Sequence, residues 1–145
     1  MSNSLAIVWI HLVWSTKNRQ PMIKKLFKGQ LNTTIKEEAS KKGIQIDIVN
    51  GTEDHIHVLL RLKTTQSISV VVNWIKGRSS KWINDNFYKP GEFKWQKGYG
   101  VFSVDPKDVN RVRKYIYDQE KHHLKQSYYQ EIKFFSENRN IINQP

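Results

Sequence analysis

Apart from His11, the stretch Leu5–Trp14 is built from apolar side chains, with Val, Ile and Trp prominent among them. A run this short and this β-prone reads as a strand buried on both faces. Such a strand belongs at the centre of a sheet, so the rest of the chain must supply a covering layer on each side. The 145 residues suffice for one domain with one core. The expected organisation is a single domain over residues 1–145, with a core at about 5–125 and a polar, aromatic tail from 125 to 145.

From Lys24 to Lys42 the residues Leu26, Phe27, Leu31, Ile35 and Ala39 recur at helical spacing, and Gly43 stands where a C-cap belongs. Ile44, Ile46 and Ile48 then alternate with Gln45 and Asp47, Asn50-Gly51 marks a turn, and His55–Leu62 forms a second β-prone run. That predicts a hairpin with a loop of about five residues. Helical spacing returns over Ser67–Phe87, with Ser67 as N-cap, and ends before Pro90-Gly91. Phe93–Val104 predicts a fourth strand in which Gly98 and Gly100 mark a bulge or a close backbone approach. Asp105-Pro106 opens a third helix running to about His123, and Tyr128, Tyr129, Phe134 and Phe135 suit one short docked helix. Strand, helix, strand, strand, helix, strand is the order of an α+β ferredoxin-like (RRM-like) sandwich, an antiparallel sheet covered by two helices. The additional C-terminal helix at 106–123 is the unusual part.

The balance of 24 Lys and Arg against 13 Asp and Glu leaves a net charge of +11, spread along the chain. A polyanion, nucleic acid first, is the expected partner. No window approaches the roughly 18 apolar residues of a membrane-spanning helix, and Met1–Ile10 lacks the basic start of a signal peptide. A cytoplasmic protein is expected. Without cysteine there is no disulfide, thiolate zinc site or cysteine nucleophile. Any metal must rest on His, Asp, Glu, Gln or Asn.

Alternation along a strand puts the imidazoles of His55 and His57 on one face and Ile56 on the other, which suits two ligands of one ion. Two half-buried histidines beside a hairpin turn are the plainer reading of that triplet. Tyr115 and Gln119 are four residues apart, about 40° around a helix, whereas Tyr117 lies roughly 160° from Gln119 and cannot share the site unless the helix is broken. Glu53 and Asp54 read as turn residues, or as a carboxylate orienting an imidazole. His11 reads as a buried strand residue, and His122 as electrostatic decoration near a helix end. Lys76, Arg78 and Lys81 with Trp74 and Trp82, and Lys94, Trp95, Lys97 and Tyr99, interleave charge with rings as a single-strand-binding face does. For each tryptophan, core packing is the competing role.

In order and spacing, His11-Leu12-Val13-Trp14-Ser15-Thr16-Lys17, Asp54-His55-Ile56-His57-Val58-Leu59-Leu60, Trp95-Gln96-Lys97-Gly98-Tyr99-Gly100 and Tyr115-Ile116-Tyr117-Asp118-Gln119 resemble the small single-tyrosine HUH transposases of bacterial insertion sequences, the insertion sequence 200-like family. The resemblance spans roughly residues 5 to 125. It implies that His55 and His57 bind a divalent metal, Mg²⁺ or Mn²⁺, that Gln119 completes or supports that site, and that Tyr115 is the nucleophile. The implied activity is cleavage and rejoining of single-stranded DNA with hairpin ends, through a 5′-phosphotyrosine. A symmetric homodimer is implied as well, expected to join His55 and His57 of one subunit with Tyr115 and Gln119 of the other, an assembly within one subunit being the alternative. On this reading Lys76, Arg78, Lys81, Lys94, Lys97 and Trp95 contact DNA. A non-catalytic single-strand-binding module of the same fold, or a domesticated HUH nuclease, is the alternative.

Overall fold

A computed structural model of the chain describes residues 4–121 and 127–137. Four strands, β1 (Val8–Ser15), β2 (Gln45–Gly51), β3 (His55–Leu62) and β4 (Gly100–Val104), form one sheet in the order β2-β3-β1-β4, with every neighbouring pair antiparallel. Two long helices, α1 (Lys25–Lys41) and α2 (Ile68–Phe87), link the strands. This is the expected ferredoxin-like plan, with β1 and β3 at its centre.

Alternation along β1 and β3 divides the sheet into two faces. Ile10, Leu12 and Trp14 with Ile56, Val58 and Leu60 point toward α1 and α2, where they meet Phe27, Leu31, Ile35, Val72, Ile75 and Ile83 in the main core. His11, Ser15, His55, His57 and Leu59 occupy alternate positions in the same strands and face the other way. That second face is covered by α3 (Val109–Tyr117), whose Val109, Val112 and Ile116 pack on Leu59 and Val104. The helix α4 (Tyr128–Glu137) completes the cover, its buried Phe135 lying against the rings of His11, Phe102 and Tyr115. No helix among the described residues is long and apolar enough to cross a membrane.

Local structure departs from the sequence pattern at five places. A register shift between Ile46 and Ile48 makes Asp47 a bulge residue, so Ile48 does not follow Ile46 into the main core but turns to the α3 face, and Val49 replaces it. The hairpin loop has three residues, 52–54, because the pairing persists to Gly51 opposite Ile56. A Cβ at Gly51 would lie 2.1 Å from the His55 carbonyl oxygen, so only glycine admits this tight closure. The fourth strand is confined to Gly100–Val104, since Phe93 is buried in the main core and only a single bridge, Thr16 to Trp95, ties the preceding segment to the sheet. Leu26 is exposed, leaving Phe27, Leu31, Ile35 and Ala39 as the buried stripe of α1. Finally, α3 ends at Tyr117, where Asp118 leaves helical geometry at φ −91°, ψ 25°, and helix resumes at residues 119–121.

The bulge and the break anchor α3. Arg113 makes a bidentate pair with Asp47, at 2.7 and 2.8 Å, and the Asn50 amide donates to the terminal carbonyls of Ile116 and Tyr117 at 3.0 and 3.1 Å.

Candidate active site

His55 and His57 reach the α3 side of the sheet because they flank Ile56, whose side chain enters the main core. Both imidazoles present Nε2 to one carboxylate, that of Glu131 on α4. His55 Nε2 lies 3.3 Å from Oε1 and His57 Nε2 lies 3.0 Å from Oε2. The Tyr115 hydroxyl donates to the same Oε2 at 2.8 Å. Gln119 places its amide oxygen 3.2 Å from His55 Nε2 and its amide nitrogen 3.4 Å from the Tyr115 carbonyl. The backbone break at Asp118 therefore does not separate Tyr115 from Gln119, and Tyr117 points outward, 73% exposed. Within the single chain described, Tyr115 and Gln119 lie against that chain's own histidine pair.

Behind this ring stands a second layer of partners. His55 Nδ1 is 2.7 Å from the Asp54 carboxylate and 3.0 Å from the Thr52 hydroxyl, so Asp54 orients an imidazole and is more than a turn residue. His57 Nδ1 is 2.7 Å from Nε2 of His11. His11 is the buried strand residue the sequence suggested, but it serves the site as well. His122 lies outside the described residues.

Electrostatics follow from burial of His55, His57, Gln119 and Glu131 at 0% exposure. Burial works against a charge on His55, but hydrogen bonds and attraction from Asp54 and Glu131 outweigh it and raise its pKa from 6.5 to about 9. Burial likewise opposes the Glu131 carboxylate, yet the two histidines hold it far below the ordinary 4.5. Burial first, then the charge and hydrogen bond of Glu131, push the Tyr115 phenol well above 10. His11 is lowered well below 6.5 by burial and then by His57, against a smaller pull from Glu131.

The donor set fits a divalent ion. His55, His57 and Glu131 each offer a ligand atom within 4.8 Å of the others. Ligands about 2.1 Å from a common ion stand about 3 Å apart at right angles, matching the 3.0 and 3.3 Å between carboxylate and imidazoles.

Sequence reasoning did not single out Glu131. The available signal was its place with Tyr128 and Phe135 at i, i+3 and i+7, a carboxylate in the otherwise aromatic stripe of an amphipathic helix. The residues expected to contact DNA lie on α2 and on the loop that precedes β4. Lys76 donates to the carbonyls of Gln96 and Gly98 at 2.8 and 2.9 Å and so pins the loop before β4. Arg78 pairs with Glu38, and Lys81 with Asp85. Trp95 is half-buried, donates to Ser79 and packs edge-on against Trp14 and Phe93. Lys94 and Lys97 are exposed on the same loop. Beside it, Asn18 and Arg19 both adopt left-handed geometry, at φ 55° and 52°, and the Arg19 guanidinium lies 4.2 Å from the centre of the Tyr129 ring on α4.

A ferredoxin-like sheet with a histidine pair on its central strand, a carboxylate completing a divalent-metal donor set and a tyrosine beside it defines the transposase class of DNA-cleaving and rejoining enzymes. The family pattern described as "Transposase IS200 like" matches residues 4–119, and the chain belongs to that family. It is 27% identical to the transposase for insertion sequence element IS200 of Salmonella typhimurium over 122 residues, covering 80% of this chain and 76% of that one. It is 23% identical to the ISDra2 transposase TnpA of Deinococcus radiodurans over 116 residues, 75% of this chain and 81% of the relative. The crystal structure of a putative transposase from D. radiodurans superposes with a TM-score of 0.66 at 22% identity, over 82% of this chain and 95% of that one. A REP-associated tyrosine transposase bound to a REP hairpin superposes with a TM-score of 0.61 at 18% identity, over 85% and 74%. The family match stops at Gln119, so α4 and Glu131 lie beyond it.

Proposed function

We propose that this transposase is a single-domain, divalent-metal-dependent nuclease that cuts and rejoins single-stranded DNA through a 5′-phosphotyrosine on Tyr115. One observation carries the reading: the Tyr115 hydroxyl and Nε2 of His55 and His57 converge on one carboxylate, at 2.8, 3.3 and 3.0 Å. A nucleophile and a ligand pair thus lie within reach of one ion. His55, His57 and the Gln119 oxygen would hold the cation, with Glu131 as a further ligand while α4 is seated. The bound cation would neutralise a non-bridging phosphate oxygen and lower the barrier to attack. An imidazole, amide and carboxylate set suits Mg²⁺ or Mn²⁺ retained by substrate phosphate.

In the cleavage step the Tyr115 oxygen bonds to phosphorus as the bond to the 3′-oxygen breaks, and in the net exchange the phenol proton ends on that 3′-oxygen. Phenol is a better leaving group than an alkyl alcohol, so a second 3′-end can attack the linkage and reseal the strand without ATP. Excision needs two cuts and each chain brings one Tyr115, which favours a homodimer. The hairpin bound by the REP-associated relative favours a strand with a foldback end as substrate.

The test incubates the protein with single-stranded DNA carrying a foldback hairpin, with Mg²⁺ or Mn²⁺, and reads a covalent adduct on a denaturing gel. Tyr115→Phe is expected to lower adduct yield by about a thousandfold or more while DNA affinity holds, and Tyr117→Phe to leave both near the unaltered level. DNA binding with no adduct under either ion would instead favour the non-catalytic module.

A further inference from the structure

The two ligand histidines are held from behind by different chemistry. His55 Nδ1 faces a carboxylate, which only accepts, so its proton stays on Nδ1 and Nε2 is turned to the site. Behind His57 stands a second imidazole. Its Nδ1 faces the imidazole of His11 at 2.7 Å, with the rings 27° from coplanar and their centroids 5.0 Å apart, the side-by-side arrangement of an N–H···N hydrogen bond.

The placement follows from strand register. Val13 pairs with His57 and His11 with Leu59, so His11 is the diagonal neighbour of His57 on the same face of two central strands. His11 is 1% exposed and otherwise ringed by Phe102 and Phe135, a setting in which an imidazole without a hydrogen bond would be costly.

We propose that His11 is a positioning residue of the metal centre, accepting at Nε2 the hydrogen bond from His57 Nδ1–H and so fixing the tautomer in which the His57 Nε2 lone pair faces the cation. A neutral imidazole carries one N–H, so a ligand histidine whose proton wandered to Nε2 would present a donor to the ion. The His11 lone pair prevents that. A phenylalanine would fill the same aromatic pocket but has no acceptor, and a glutamine has an acceptor without a ring.

The inference rests on the metal-site reading, and its test separates the two. Zn²⁺ serves as the diamagnetic probe, with ¹⁵N-labelled protein for NMR and calorimetry for affinity. In the zinc-loaded unaltered chain, His57 is expected as the Nδ1–H tautomer with a ¹⁵N–¹⁵N coupling through the hydrogen bond to His11. His11→Phe should weaken Zn²⁺ binding by about 10- to 100-fold, and His11→Gln should recover most of that loss through its amide oxygen. Zn²⁺ binding that is unchanged in His11→Phe, or a loaded His57 with no coupling to His11, overturns the role of His11 and leaves the metal centre standing. An unaltered chain that binds no Zn²⁺ overturns both. Should His11→Phe fail to fold, the coupling in the unaltered chain and the affinity of His11→Gln decide the matter.

Discussion

A buried imidazole with a carboxylate on each ring nitrogen gains more from its proton in the folded chain than in the unfolded one. His55 is in that position, between Asp54 at Nδ1 and Glu131 at Nε2. With its pKa raised from 6.5 to about 9, protonated His55 contributes stability that is fully present below 6.5 and is lost as pH rises through 9. Glu131 reports the same interaction from the acid side, with a contribution present above 4.5 and lost as pH falls below it. The two are one pair seen twice and do not add. Metal-free protein is therefore expected to have its highest urea midpoint between about 4.5 and 6.5, and a falling one toward pH 9, with the decline reduced in His55→Gln. A midpoint that rises steadily from pH 6.5 to 9 would count against a protonated His55.

At the scale of elements, α4 is what covers the site. Its Glu131, Phe135 and Tyr128 contact the Tyr115 hydroxyl, the His11 ring and the His55 ring respectively, and with α4 seated both His55 and His57 are sealed from solvent. Its removal should leave the main core intact, since that core is built from α1, α2 and the opposite sheet face. A chain ending at residue 126 is accordingly expected to stay folded but to lose about 2 kcal/mol or more for the burial of Phe135 and its neighbours. In the metal-free state its His55 and His57 should be modified readily by diethylpyrocarbonate, where the full chain is protected. Equal modification of both forms would show that α4 does not keep the site closed.

For the whole molecule, the +11 charge is expected to set the affinity for DNA more than any single contact does. Arg78 and Lys81 already pair with Glu38 and Asp85 on the surface, and Lys76 is committed to two carbonyls. Lys94 and Lys97 are the better candidates for phosphate. The logarithm of the binding constant for single-stranded DNA should fall linearly with that of salt concentration, by about 0.7 per phosphate neutralised. Replacing both lysines by alanine should reduce that slope by about 1.4. A slope unchanged by the double substitution would move the DNA path elsewhere on the surface.

The order of elements along the chain and the helix faces were legible in the sequence because burial period and strand alternation are local properties. Leu5–Trp14 had to be central, Phe27 to Ala39 had to face a sheet, and His55 and His57 had to share a side once Ile56 entered the core. The bulge at Asp47 was not legible, because Ile44, Ile46 and Ile48 alternate without a break and only the bidentate partner Arg113 on α3 gives the extra residue a use. Nor was the fourth strand's late start, since a β-prone Phe93 is also a good core residue for α2 to cover. Tyr115 and Gln119 were singled out by the family resemblance, with helical phase only allowing them a common face, and their convergence on the site survives a break at Asp118 that phase alone would have read as a separation. His11 and Glu131 needed the tertiary structure. A histidine in an apolar strand carries no local sign of a partner, and the aromatic stripe around Glu131 marks a buried carboxylate without saying what it meets; what joins them to His57 is a strand register and a helix docked across the sheet, contacts spanning 46 and 74 residues.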